Sequence, residues 1–131
     1  MGNQIFRTMN TNHNYKKLSI YSRGLEHAAK IIERIDTIRP YRLGEQIAAS
    51  CVSIPSNIAE GSQRLSEKEF IRYLTFSSGS AAELETQLNI VLLAKKYEEL
   101  PLEEWIKETE EINAMIRALI RKLLSKKTST K

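Results

Sequence analysis

Apolar residues recur along most of this chain at steps of three and four, which is the period of an amphipathic helix. No stretch alternates apolar and polar residues as a β-strand would, and no Asn-Gly hairpin signal occurs. The first helical series begins near Leu18 and stops at Arg39-Pro40, because proline disfavours helical geometry in the residue before it. Its apolar positions are Tyr21, Leu25, Ala28, Ile32, Ile35 and Ile38.

The second predicted helix carries a proline in its interior. It is predicted to end at Gly61, since glycine commonly follows the last helical turn. Pro55 has no backbone N–H to donate and crowds the carbonyl group of Cys51, so the sequence predicts a kink there. The apolar positions of this helix are Leu43, Ile47, Cys51, Ile54 and Ile58.

The third predicted helix has the clearest start. Ser66 and Glu69 have the spacing of a capping box, in which the serine hydroxyl accepts from the backbone N–H of the glutamate. Residues 77–82 are all small, so a neighbouring helix can approach closely at that point. The apolar seam follows heptad steps over about thirty residues, or ~45 Å. Its members are Phe70, Leu74, Ser77, Ala81, Leu84, Leu88 and Val91.

A fourth helix is predicted to start at Pro101, a residue that suits the first helical turn. Its seam comprises Leu102, Trp105, Thr109, Ile112, Ile116, Leu119 and Leu123. Four amphipathic helices joined by short connections predict an all-α fold, an antiparallel up-and-down four-helix bundle. We divide the chain into a flexible N-terminal lead (1–14), the bundle (15–124) and a basic C-terminal tail (125–131).

Composition narrows the possible classes of function. The 131 residues suffice for one domain, and a single cysteine excludes an internal disulfide framework. Two histidines leave few ligands for a metal, so we expect neither a metal nor another cofactor. No apolar run of about eighteen residues exists to cross a membrane. Without a secretory signal at the N-terminus, a cytoplasmic protein is expected.

Catalytic motifs are missing from the sequence. It contains no phosphate-binding glycine loop, no HExxH helix and no GxSxG elbow. His27 follows Glu26 and is interpreted as half of a surface pair, while Cys51 lies in an apolar series and is interpreted as a buried structural thiol. We therefore predict that the protein is not an enzyme.

The distribution of charge indicates a possible partner. Lys and Arg number 20 against 16 Asp and Glu, and the last fifteen residues carry no acid. A basic face attracts nucleic-acid phosphates without reading base sequence, whereas the alternative is a solvated tail that keeps the protein soluble. The candidate nucleic-acid-binding residues are Lys16, Lys17, Arg23, Arg117, Arg121, Lys122, Lys126 and Lys127.

Four stretches carry a resemblance to a known family. Residues 46–61 (QIAASCVSIPSNIAEG), 69–74 (EFIRYL) and 79–88 (GSAAELETQL), with YKKL at 15–18, are the matching segments. They resemble the small four-helix-bundle proteins encoded within intervening sequences of bacterial 23S rRNA genes, over roughly residues 15–124. The SIPSNIAEG run is the most specific part, because serines flanking a proline within an amphipathic helix are rare by chance.

The resemblance implies a non-enzymatic bundle that forms a ring-like homopentamer. It also implies kinship with the accessory variability determinant of diversity-generating retroelements, a basic pentamer that works with a reverse transcriptase and nucleic acid. Three hypotheses follow: an oligomer that binds RNA or DNA non-specifically, an accessory subunit of a reverse transcriptase, and a structural protein that only self-assembles.

Overall fold

The computed structural model describes residue 15 and residues 18–129, with side chains described as far as residue 126. Four α-helices follow one another, and no β-strand occurs within these residues. A short 3₁₀ turn, Ile35–Thr37, lies between the first two helices. The helices are α1 (Ser19–Ile32), α2 (Tyr41–Ser62), α3 (Glu67–Ala94) and α4 (Leu102–Ser129).

Neighbouring helices run antiparallel, which confirms the predicted up-and-down bundle. Between α3 and α4, Ser78 hydrogen-bonds to Asn113 while Glu67 pairs with Lys126, so the start of α3 lies beside the end of α4. The predicted seam of α3 is confirmed in full, since each of its seven members is buried. The capping box is confirmed in part, because the Ser66 hydroxyl accepts from the backbone N–H of Glu69 at 3.2 Å.

The corner between α2 and α3 is packed more closely than the sequence indicated. We expected Gly61 to follow the last turn of α2, but α2 continues to Ser62 and Gly61 is buried within it. A Cβ atom at Gly61 would lie 2.5 Å from Cβ of Tyr73 and 3.2 Å from the Phe70 ring. This glycine therefore allows the two helices to approach each other, and it has no role as a left-handed terminator.

The buried face of α1 differs from the predicted face by about one residue. The sequence pattern placed Leu25 and Ile32 inward, but both are exposed. The residues that face the core are Ile20, Gly24, His27, Ala28 and Ile31. Glycine and histidine do not count as apolar residues in such a pattern. The prediction therefore selected the adjacent row of apolar residues on α1. Leu25 and Ile32 are therefore exposed on α1 within the part of the chain that the structure describes.

The predictions for Pro55 and for the two ends of the chain can be compared with the structure. α2 passes through Pro55 without interruption, and Pro55 is buried against Gly24 of α1. α4 is helical to Ser129, so most of the segment that we assigned to a C-terminal tail from residue 125 continues the last helix. The predicted N-terminal lead, 1–14, lies outside the described residues.

Candidate nucleic-acid interface

The second half of α4 presents three basic side chains to solvent. Arg117, Arg121 and Lys122 are exposed, and none of them forms a salt bridge within the part of the chain that the structure describes. Arg117 and Arg121 are four residues apart and so are neighbours on one face of the helix. The first half of α4 is instead acidic, with Glu103, Glu104, Glu108, Glu110 and Glu111.

The other predicted basic residues have different surroundings. Lys126 Nζ lies 3.6 Å from a carboxylate oxygen of Glu67, and this contact joins the end of α4 to the start of α3. Lys16 and Lys17 lie outside the described residues, as does the side chain of Lys127. Four of the candidates, Arg117, Arg121, Lys122 and Lys126, therefore lie on the second half of α4, with Lys122 and Lys126 on a different side of the helix from the two arginines.

Arg23, the remaining candidate, belongs to an ion-pair network between α1 and α4. Its guanidinium forms two hydrogen bonds with the Glu108 carboxylate and a third, of 2.9 Å, with Glu111. Hydrogen bonding from Arg23 lowers the pKa of Glu108 below its usual range. Because two carboxylates already balance this cation, Arg23 is less available to a phosphate than the arginines of α4.

His27 is buried beside this network, contrary to the expectation of a surface pair with Glu26. Its exposed fraction is 4%, and Nε2 lies 2.7 Å from the hydroxyl of Thr109. That hydroxyl donates to the carbonyl of Trp105 at 2.8 Å, so it accepts from His27 and fixes the proton of the neutral ring on Nε2. Burial lowers the pKa of His27 to about 4, which keeps the ring neutral near pH 7.

Cys51 has the environment that the sequence predicted. It is 1% exposed, and burial raises the pKa of its thiol to about 12. The nucleophilic thiolate is therefore scarce near neutral pH. In the described part of the chain, no three histidine, cysteine or acidic residues are grouped so that they could hold a metal ion. None of the described helices is long and apolar enough to span a bilayer.

A cluster of arginine and aromatic side chains near the α2–α3 corner was missed by the sequence reasoning. The Arg64 guanidinium lies 4.7 Å from the ring centre of Tyr73, and that of Arg72 lies 5.2 Å from the ring centre of Phe76. The available signal was the spacing of Arg72 and Phe76, which at four residues apart are neighbours on a helix.

Comparison with known proteins supports one family. The family model described as 23S rRNA-intervening sequence protein matches residues 16–118. No curated protein matches the chain. A similar fold occurs in a crystal structure, at 1.70 Å resolution, of a protein of unknown function from the S23 ribosomal protein family of Bacteroides thetaiotaomicron. The TM-score is 0.70 at 24% sequence identity, and the match covers 78% of this chain and 95% of that one.

Proposed function

Since the chain belongs to the 23S rRNA-intervening sequence protein family, we propose that it is a non-catalytic, self-assembling bundle that binds nucleic acid through the phosphates. The observation that supports this most directly is the exposed group Arg117, Arg121 and Lys122, which has no acidic partner among the described residues. Arg117 and Arg121 share one helix face and Lys122 lies about 100° further around the helix. Together they offer phosphates three cations on the outside of α4. Such contacts are independent of base sequence.

Self-assembly is supported by apolar surface on α1 and α2. Leu25 is 46% exposed and Val52 is 48% exposed, although both are large apolar residues in well-formed helices. They line a groove together with Tyr21, Ala28, Pro55, Ser56 and Ala59. A contiguous exposed apolar surface of this kind is typical of a protein–protein contact. We propose that it is covered by another copy of the chain.

A ring requires two different contact faces on each copy, because its interfaces are heterologous. The outward side of α3 offers a second apolar face, with Ile90 and Leu93 exposed by 54% and 76%. The proposal of five copies rests on the family resemblance.

We also propose that Pro55 bends α2 and so shapes the groove on α1 and α2. Replacing Pro55 with alanine should then straighten α2 and alter the oligomeric state while helix content persists. Light scattering and circular dichroism of wild type and Pro55→Ala measure the two effects. Unchanged assembly and unchanged melting would show that the proline is incidental.

Phosphate binding is tested by removing the basic residues of α4. In the variant with Arg117, Arg121 and Lys122 all replaced by glutamine, binding to RNA and to DNA should weaken equally. The slope of log affinity against log salt should flatten by about one unit for each lost phosphate contact. The measurement is a titration of labelled RNA and DNA at several salt concentrations.

A matched control removes the same charge elsewhere. Arg42, Lys96 and Lys107 are exposed basic residues outside the second half of α4, and their replacement by glutamine should leave the salt slope near the wild-type value. Equal losses of nucleic-acid affinity in both triple variants would indicate an effect of net charge alone. No wild-type binding at low salt would reject the nucleic-acid proposal and favour a protein that only self-assembles.

A further inference from the structure

The α2–α3 corner carries a compact cluster of two arginines and two aromatic rings. Tyr73 and Phe76 meet edge to face, with ring centres 5.4 Å apart and an interplanar angle of 77°. Arg64 donates to the Tyr73 hydroxyl at 2.7 Å, and the Arg72 guanidinium lies within 5.8 Å of both ring centres. We call these four residues, Arg64, Arg72, Tyr73 and Phe76, the corner cluster.

The corner cluster is accessible to a ligand. Phe76 is 44% exposed, and the side chains of Arg64 and Arg72 are 41% and 57% exposed. A phenylalanine so exposed adds little to the core, while its ring remains open for stacking. The acidic partners, Glu60 for Arg64 and Glu69 for Arg72, are themselves well exposed, so these ion pairs are weak and can exchange for phosphate.

One donor in the cluster has no partner within the described part of the chain. Arg64 Nε is shielded from solvent, yet no acceptor lies within hydrogen-bonding distance of it. A buried donor without an acceptor is unfavourable. An acceptor oxygen brought by a ligand would relieve that cost, provided that the guanidinium shifts slightly to meet it.

We propose that the corner cluster is a stacking site for the bases of single-stranded nucleic acid, with Phe76 as the ring on which a base stacks. The inference rests on the proposed function, to which it adds a preference for unpaired strands. Exposed aromatic rings beside arginines bind single strands by stacking, which tolerates any base because every base has a π face. The bases of a duplex are already stacked inside it and are not available to Phe76.

Phe76 and the contact between α3 and α4 lie on different sides of α3. Glu67 in the first turn of α3 pairs with Lys126 near the end of α4. Phe76 follows Glu67 by nine residues, or about 14 Å along the helix. The same nine residues also turn Phe76 about half way around α3 from Glu67, so a strand that binds both Phe76 and the basic residues of α4 must pass around α3 as well as along it.

The experiment separates base stacking from phosphate contact by using oligomers that have the same phosphates with and without bases. Labelled 20-mers of deoxythymidine, of uridine and of an abasic deoxyribose phosphate are titrated with the full chain by fluorescence anisotropy. The wild-type protein should bind the oligomers with bases at least about fivefold more tightly than the abasic one. Equal affinity for uridine and deoxythymidine indicates stacking alone, and tighter uridine binding indicates RNA as the natural strand.

Phe76→Leu is the informative variant, because leucine keeps the apolar bulk and removes the ring. It should lose the preference for bases and keep the affinity for the abasic oligomer. Tyr41→Leu is the control, because it removes an exposed aromatic ring beside an arginine at the other end of α2 and should keep the preference. Sedimentation of each variant shows whether assembly is retained.

The outcomes distinguish this inference from the proposed function. If the wild type binds oligomers with and without bases equally, stacking is wrong and phosphate binding stands. If Phe76→Leu retains the preference for bases, or if it changes only assembly, the assignment of Phe76 is wrong. If the wild type binds none of the oligomers, both proposals are wrong.

Discussion

The bundle joins its helices by two different means. Along α2 and α3, small side chains bring the backbones together: the Ser53 and Ser80 hydroxyls lie 2.7 Å apart, and Ser77 donates to the carbonyl of Ile54 at 2.8 Å. Near the corner, Gly61 leaves no room even for a methyl group. This interface depends on close packing, so it is sensitive to added volume.

The interface between α1 and α4 instead relies on long polar side chains. Arg23 reaches across to Glu108 and Glu111, and the His27 ring hydrogen-bonds to Thr109. Polar groups that leave water require specific partners, and their protonation depends on pH. The α1–α4 interface should therefore respond to pH, and the α2–α3 interface to steric change.

The largest expected effect is steric. In Gly61→Ala the new methyl group meets Cβ of Tyr73 at 2.5 Å, and a Cβ atom cannot move away by a change of rotamer. We expect the free energy of unfolding to fall by about 3 kcal/mol, as in other overpacked cores. Chemical denaturation of wild type and variant measures it.

A buried glycine of the same helix is the matched control. At Gly44 the nearest atom to a new Cβ is the carbonyl oxygen of Ile35 at 3.6 Å, an ordinary contact. Gly44→Ala should change stability by less than about 1 kcal/mol, with higher helix propensity partly offsetting any strain. Similar losses in both variants would contradict the special role of Gly61.

The next effect depends on pH. The pKa of His27 is about 4 in the folded chain and near 6.5 when unfolded, so the unfolded chain binds the extra proton first. Stability should therefore fall as the pH decreases below about 6.5, and the loss should level off near pH 4. Between pH 7 and pH 5 the expected loss is about 2 kcal/mol.

His27→Gln isolates this contribution, because glutamine does not titrate and can still donate to Thr109. Unfolding by urea at pH 7, 6 and 5 should show a smaller decline for the variant than for the wild type. Ordinary carboxylates are mostly ionised over that range and contribute little to the difference. Parallel declines in the two proteins would mean that His27 titrates normally.

The difference between the α2–α3 and α1–α4 interfaces also explains which buried residues could be predicted from the sequence. The seam of α3 follows heptad steps of apolar and small residues, and all of it is buried as predicted. On α1 the same reasoning chose Leu25 and Ile32, which are exposed, over Gly24 and His27, which are buried. A hydrophobic pattern predicts the burial of apolar side chains only. It does not indicate that a polar side chain is buried because it hydrogen-bonds to a residue on a distant helix.

The candidate site was predictable to a similar degree. A run of cations without acids is visible in the sequence, and Arg117, Arg121 and Lys122 are indeed exposed. The neutralisation of Arg23 by Glu108 and Glu111 joins positions 85 and 88 residues apart, so no local pattern shows it. The corner cluster likewise depends on Arg64, which reaches α3 from the turn that precedes it.

Breaking the ion pairs between α1 and α4 should lower the free energy of unfolding by a smaller amount. Arg23→Gln removes the charge while keeping a polar side chain, and the loss should be about 1 kcal/mol, because both Arg23 and Glu108 are about one-third exposed. High salt should lower the stability of the wild type toward that of the variant, because salt screens the ion pairs. Thermal melts at low and high salt measure this, and a salt-independent difference would assign the loss to packing against Met115.

The smallest effect concerns Gly79, which tests whether every small residue of α3 serves packing within the chain. Among the described residues, no atom beyond the local backbone of α3 lies within 4 Å of a Cβ built at Gly79, so alanine adds no clash and improves helix propensity. Gly79→Ala should therefore raise the free energy of unfolding by about 0.7 kcal/mol, the opposite sign to Gly61→Ala. Denaturation of a dilute, dissociated sample measures this gain, while light scattering at higher concentration reports assembly. A gain in stability with weakened assembly would place Gly79 in a contact between copies, and a loss of stability in the dissociated chain would contradict the open surroundings of Gly79.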